Sequence, residues 1–218
     1  RHGLPTATTR SGSKTCFPRY SKMGIELLPQ AVLDKFEVAE KGHAASILQS
    51  DFPSEWNDLT SMLGAFVLRR SDIEIPGGSK SAISAGIDAF FYERGWHEHD
   101  FKIKVEADGV IKLAPTHKVD YFKNRIAIET EWNNKDPFFD RDLTTFRLLF
   151  ELNVISVGVI ITRATELQTI FVSLGRGTSF GNSTTHMGKL IPKLENRASG
   201  GCPILAFGIR SAAYDPNS

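Results

Sequence analysis

Residues 119–134, VDYFKNRIAIETEWNN, tie three carboxylates to a strand with one apolar side. Asp120 precedes an apolar run, Glu129 follows nine positions later, and Glu131 comes two after that. Side chains alternate between the faces of a strand. Ala127, Glu129 and Glu131 therefore share one face, and Ile126, Ile128, Thr130 and Trp132 share the other. The apolar face has to sit on a core, which fixes the acids to the body of the fold. Clustered carboxylates repel one another unless a proton or a cation lies between them. Mg²⁺ takes oxygen ligands of this kind, and the arrangement suits metal-assisted hydrolysis of a phosphodiester. An ordinary strand with one wet face shows the same alternation. The polar turn that follows, Trp132-Asn133-Asn134-Lys135-Asp136-Pro137, favours the metal reading, because it places substrate-reading groups beside the acids.

With 218 residues, 41% hydrophobic and 23% charged, the chain has the composition of a soluble globular protein with a sizeable core. No apolar run reaches bilayer-spanning length, and nothing resembles a secretory leader. Cys16 and Cys202 form no CxxC spacing, so a reducing, cytoplasmic setting is the simpler expectation. The net charge of +1 hides a segregation. Residues 1–22 carry Arg1, Arg10, Lys14, Arg19 and Lys22 with no acid, which leaves −4 for the remainder. Between 176 and 210, Arg176, Lys189, Lys193, Arg197 and Arg210 face only Glu195. An acidic centre with a basic C-terminal third fits a surface that grips phosphate around a metal; a solvated helix face gives the same pattern.

Residues 1–22 are polar, without periodicity, and read as a disordered basic extension upstream of a natural start at Met23. A single domain is expected over 23–218. Helical periodicity predicts a helix from Glu26 to about Gln49, a second from Pro53, and a third capped by Ser79 and ended by Gly95. The pattern then alternates through Phe101, Ile103 and Val105, with Asp108-Gly109 as a hairpin signal. After the acidic strand, a helix is expected from Asp140 to Leu152, a doubly buried strand over 154–162, helices near 164–174 and 184–196, and a last strand over 203–209. This order implies an α/β fold, a mixed central sheet flanked by helices.

The spacing Asp120…Glu129-Thr130-Glu131, the following Asn133-Asn134 and the strand VISVGVIITR together resemble type II restriction endonucleases of the BglII, BstYI and BamHI group. The likeness extends to GGSKS at 77–81 and STTHM at 183–187, and covers most of residues 31–210. It implies the PD-(D/E)xK nuclease fold, a homodimer, Mg²⁺ as cofactor, and palindromic double-stranded DNA as substrate in restriction–modification. The lysine that closes the commonest form of the motif is absent. Glu131 matches glutamate in BamHI, where BglII has glutamine.

On this resemblance Asp120 and Glu129 are expected metal ligands, with the Thr130 carbonyl as a third oxygen and Glu131 acting on the attacking water. Asn133 and Asn134 match positions that meet base edges, for which an amide with both donor and acceptor is suited; turn chemistry explains asparagine there equally well. Ser79 and Lys80 in the 77–81 turn offer a phosphate contact or a plain capped turn. Arg176, Thr185 and His186 lie on a polar, Gly-rich connection suited to groove or backbone contact. His97 and His99 lack a third nitrogen or sulfur nearby, which argues against zinc. Asp88 and Glu93 both remain open as an upstream acid supporting the metal. Two other classes compete: a nuclease of the same fold with another task, and a DNA-binding protein that does not cut. A glycosidase with paired carboxylates fits less well, since both glutamates share one face of one strand.

Overall fold

Three apolar segments, Ile126–Thr130, Val157–Arg163 and Ile204–Ile209, form the middle of a six-stranded mixed sheet, as runs buried on both faces require. The computed structural model describes residues 24–75, 82–114 and 117–218. Expectations for residues 1–22, Cys16 and the 77–81 turn with Ser79 and Lys80 lie outside those residues.

In chain order the strands are β1 Phe36–Lys41, β2 Leu68–Arg69, β3 His97–His99, β4 Ile103–Ala107 and β5 Val110–Ala114. They continue as β6 Val119–Lys123, β7 Ile126–Thr130, β8 Val157–Arg163, β9 Ile204–Ile209 and β10 Tyr214–Asp215. The helices are α1 Gln30–Lys35, α2 Ala44–Asp51, α3 Pro53–Ala65, α4 Arg70–Glu74, α5 Ala82–Tyr92, α6 Pro137–Glu151, α7 Gln168–Ser173 and α8 Met187–Glu195. The main sheet runs β1-β9-β8-β7-β6-β3. β7, β8 and β9 are parallel, while β1 on β9, and β6 between β7 and β3, pair antiparallel.

Alternation along these strands sends Ile126, Ile128, Val159, Ile161, Leu205 and Phe207 to one face, where α2, α3, α5 and α7 pack. Ala127, Ile160, Ile204 and Ala206 point to the other, beneath α6 and α8. The close seat of α6 depends on Gly158: a Cβ there would lie 2.5 Å from Cδ2 of Phe146. The expected α/β arrangement of a mixed sheet between helices is what the chain forms.

The helix expected over 26–49 is not continuous. It stops at Lys35, and β1 replaces its middle. Phe36 and Val38 join one core and Ala39 the other, so the segment satisfies strand alternation as well as helical spacing. Gly42 (φ +67°) and His43 (φ +59°) then turn the chain into α2. The helix expected near 164–174 divides into a 3-10 turn, Thr165–Leu167, and α7. That expected at 184 begins only at Met187. The Asp108-Gly109 hairpin forms with both residues at positive φ, but β4 and β5 stand as a separate two-stranded sheet. No helix among the described residues is long and apolar enough to cross a membrane.

Candidate active site

A two-residue turn, Asn124 (φ +43°) and Arg125 (φ +71°), joins β6 to β7 with both residues left-handed, the geometry that matches strand twist. Arg125 holds the turn down through Nη1 to the Asn153 carbonyl at 2.7 Å and Nε to Ser156 Oγ at 3.0 Å. Tyr121 then pairs with Ile128, which sets Asp120 beside Glu129 across the ladder. The Thr130 N–H donates to Asp120 Oδ2 at 2.9 Å and fixes that carboxylate at the strand end.

The acidic face is not a wet face. Glu129 is 1% and Glu131 2% exposed, because α6 lies over them. Glu131 is anchored through its backbone: its N–H donates to Ile161 O at 2.8 Å, and its carbonyl accepts from Thr162 Oγ1 at 2.7 Å and Thr185 Oγ1 at 3.1 Å. Its carboxylate accepts from Asn134 Nδ2 at 2.6 Å and Arg141 Nη2 at 3.3 Å.

Two residues that sequence reasoning missed complete the cluster. Phe139, Asp142, Leu143, Phe146 and Leu149 form the buried stripe of α6, so Asp142 is a fully buried charge at a core position. That misplaced acid within an apolar stripe was a readable signal. His117, just ahead of β6, carried none. His117 Nε2 lies 2.9 Å from Glu129 Oε1 and 3.1 Å from Asp142 Oδ1, and its Nδ1 is 3.0 Å from Thr145 Oγ1, one turn along α6. Arg141 Nε and Nη2 also donate to Asp142 Oδ1, at 3.0 and 2.9 Å.

Electrostatics follow from this crowding. Burial, then the charges of Asp142 and Asp120, hold the Glu129 carboxyl well above the usual range. Burial and Asp142 push Glu131 up to about 9, against the opposing hydrogen bond from Asn134. Asp120 is raised by burial, with the Thr130 amide opposing. Among the described residues, Asp120, Glu129, Glu131 and Asp142 face one guanidinium, Arg141, and the imidazole of His117. A pocket with that deficit suits a divalent cation, and oxygen donors from carboxylates are the ligands Mg²⁺ takes.

The other sequence candidates separate. Asn133 and Asn134 are exposed at the end of β7, with Asn133 Nδ2 on the Ser179 carbonyl at 3.1 Å. Thr185, expected to face DNA, is instead fully buried, its N–H on the Asn134 carbonyl at 2.9 Å and its hydroxyl on Glu131. His186 is 8% exposed, near Thr165 Oγ1 at 3.3 Å, and burial lowers its pKa. Arg176 is half-buried, with a buried Nε that lacks a hydrogen-bond partner among the described residues. Of the two upstream acids, Asp88 is buried and accepts from Tyr121 Oη at 2.5 Å, on the face of β6 opposite Asp120. Glu93 is exposed and lies 3.9 Å from Arg94. His97 and His99 pack against Phe122 on the edge strand of the sheet.

The model of the BglII/BglIII restriction endonucleases matches residues 36–209, from the first strand of the main sheet to its last. No curated protein matches the chain. A mixed sheet carrying an acidic cluster at the β6–β7 ladder, and a family match over most of the chain, place the protein in the BglII/BglIII restriction endonuclease family, as a DNA-cleaving hydrolase of the type II class.

Proposed function

We propose that the protein cuts palindromic double-stranded DNA as a two-fold dimer, using Mg²⁺ held by Asp120, Glu129 and the Thr130 carbonyl. The observation that carries this reading is the burial of Glu129 and Glu131 beside Asp120 and Asp142 with too little positive charge to balance them. Such a cluster is costly as a structural feature, since buried like charges raise one another's pKa. A non-cleaving DNA binder gains nothing from it, because carboxylates repel phosphate.

When bound, Mg²⁺ supplies neutralisation of charge on the phosphate and on the leaving 3′ oxygen. Asp120 is oriented for ligation by the Thr130 amide, and Glu129 by its place in the ladder. Glu131, pushed up to about 9, holds a proton at neutral pH while its neighbours are uncompensated. Compensation of that charge lets Glu131 ionise and accept a proton from the water that attacks phosphorus. Asn134 and Arg141 hold its two carboxylate oxygens in place. The exposed turn at Asn133 and Asn134 leads from the acids to the groove, where these amides read base edges. Arg176, with Ser79 and Lys80, is assigned to phosphate and groove contacts.

Incubation with plasmid or phage DNA, with Mg²⁺ and with EDTA, tests the proposal. Discrete fragments that EDTA abolishes support it. Random nicking points to a nuclease with another task, and retarded but intact DNA to a binder.

A further inference from the structure

We propose that His117, Glu129 and Asp142 form a cation position of their own, whose nitrogen donor favours a transition ion such as Mn²⁺ over Mg²⁺. The inference rests on the acidic cluster being the catalytic centre, and adds ligands from outside the β6–β7 pair. One ligand atom from each of the three residues lies within 4.8 Å of the others. The contacts of Nε2 with Glu129 Oε1 and Asp142 Oδ1, at 2.9 and 3.1 Å, match the separation of about 3 Å between neighbouring donors on an ion bound at about 2.1 Å. Little movement is needed to close the three around a cation.

Two independent features point to a ligand rather than to a settled hydrogen-bond network. Asp142 is fully buried, yet its Oδ2 has no hydrogen-bond partner among the described residues. Buried polar atoms are rarely left so. Asp142 raises the pKa of both Glu129 and Glu131, and its Oδ1 lies 3.1 Å from His117 Nε2, so the carboxylate belongs to the cluster and not to the apolar stripe of α6. The second feature is the ring setting of His117. Thr145 Oγ1 lies 3.0 Å from Nδ1, so with a cation bound that hydroxyl can accept the Nδ1–H hydrogen bond and leave the Nε2 lone pair to the cation. A second partner that fixes the tautomer is the usual companion of a metal-binding histidine. In the cation-free protein, the same hydroxyl donates to Nδ1, and an Nε2–H shared between the two carboxylates takes the cation's place.

Glu129 is the common member, facing Asp120 across the ladder and His117 with Asp142 on the α6 side. The donor set differs between the two sides. Asp120 and backbone oxygen suit Mg²⁺, whereas imidazole shifts preference toward Mn²⁺, Co²⁺ and Zn²⁺.

Pulsed electron paramagnetic resonance of the Mn²⁺-loaded protein tests this without relying on activity. The wild type should show nitrogen coupling to bound Mn²⁺, and His117→Gln should lose it. Labelling histidine with ¹⁵N should change the coupling in the wild type, which shows that a histidine is the ligand even if His117→Gln does not fold, and His117→Asn is the second variant that should lose it. Asp142→Asn should retain the coupling but bind Mn²⁺ about tenfold or more weakly. Cleavage of DNA with Mg²⁺ is measured on the same preparation. Bound Mn²⁺ without nitrogen coupling, in protein that still cuts DNA into discrete fragments, overturns the inference and leaves the proposed function standing. Neither Mn²⁺ binding nor cutting overturns both.

Discussion

Asn134 Nδ2 donates to Glu131 Oε2 at 2.6 Å, joining a residue expected to read bases to the acid expected to act on water. Asn134→Ala should therefore slow cutting at every site it still cuts. It should also erode the preference for the best site, because a lost bidentate base contact costs roughly 1–3 kcal/mol of discrimination. Single-turnover rates on the preferred site and its one-base variants measure both. Unchanged rate and unchanged preference would leave Asn134 as turn structure only.

Glu129→Gln preserves shape and removes one charge from the cluster. Cleavage in Mg²⁺ should fall on the order of 10³-fold, as expected for about 4 kcal/mol of lost charge stabilisation. DNA binding should persist or tighten, since a group that repels phosphate is gone. The cation-free protein should also melt higher at pH 8, because a buried carboxyl that Asp142 and Asp120 repel in its charged form is gone. A variant that cuts at the wild-type rate in saturating Mg²⁺ would remove Glu129 from the metal site.

Stability without metal should decline with rising pH. Glu129, Glu131 and Asp120 all have folded-state pKa values above those of the unfolded chain. The native state then binds more protons than the unfolded one from about pH 4.5 upward, so stability is lost as pH climbs toward the value of about 9 for Glu131. Each kcal/mol lost lowers Tm by about 2–4 °C in a chain of this length. Melting curves in EDTA should show that fall from pH 5 to 9, and Mg²⁺ should recover more of it at the higher pH. A Tm that rises across this range in EDTA would contradict the assigned protonation.

Thr185→Val separates anchoring from DNA contact. The hydroxyl bonds the Glu131 carbonyl in the interior, and its loss should cost about 1 kcal/mol of stability. Affinity for DNA and its salt dependence should stay near wild type. A marked loss of affinity, with stability intact, would return Thr185 to the DNA surface.

The sequence reading reached the central sheet because β7, β8 and β9 are apolar runs bounded by clear turns. It missed β1, where 36–41 fits helical spacing with its neighbours and only the pairing with β9 decides for strand. The carboxylates on β7 were visible through alternation. Their burial was not, since it depends on α6 crossing above Gly158. Asp142 stood in plain view as a charge within an apolar stripe, whereas His117 gains meaning only when β6 and α6 meet. Thr185 and His186 looked polar and accessible in a Gly-rich stretch, yet the Lys135–Thr184 bridge draws that segment inside.

The acidic cluster should cleave DNA at one specific site. A random-sequence duplex library, digested with Mg²⁺ and sequenced at both ends of every break, tests it most directly. The expected result is one palindromic motif, cut at the same offset on each strand, absent from parallel digests with EDTA or with Glu129→Gln. Ends scattered without a motif, or the same motif cut equally well by Glu129→Gln, would contradict it.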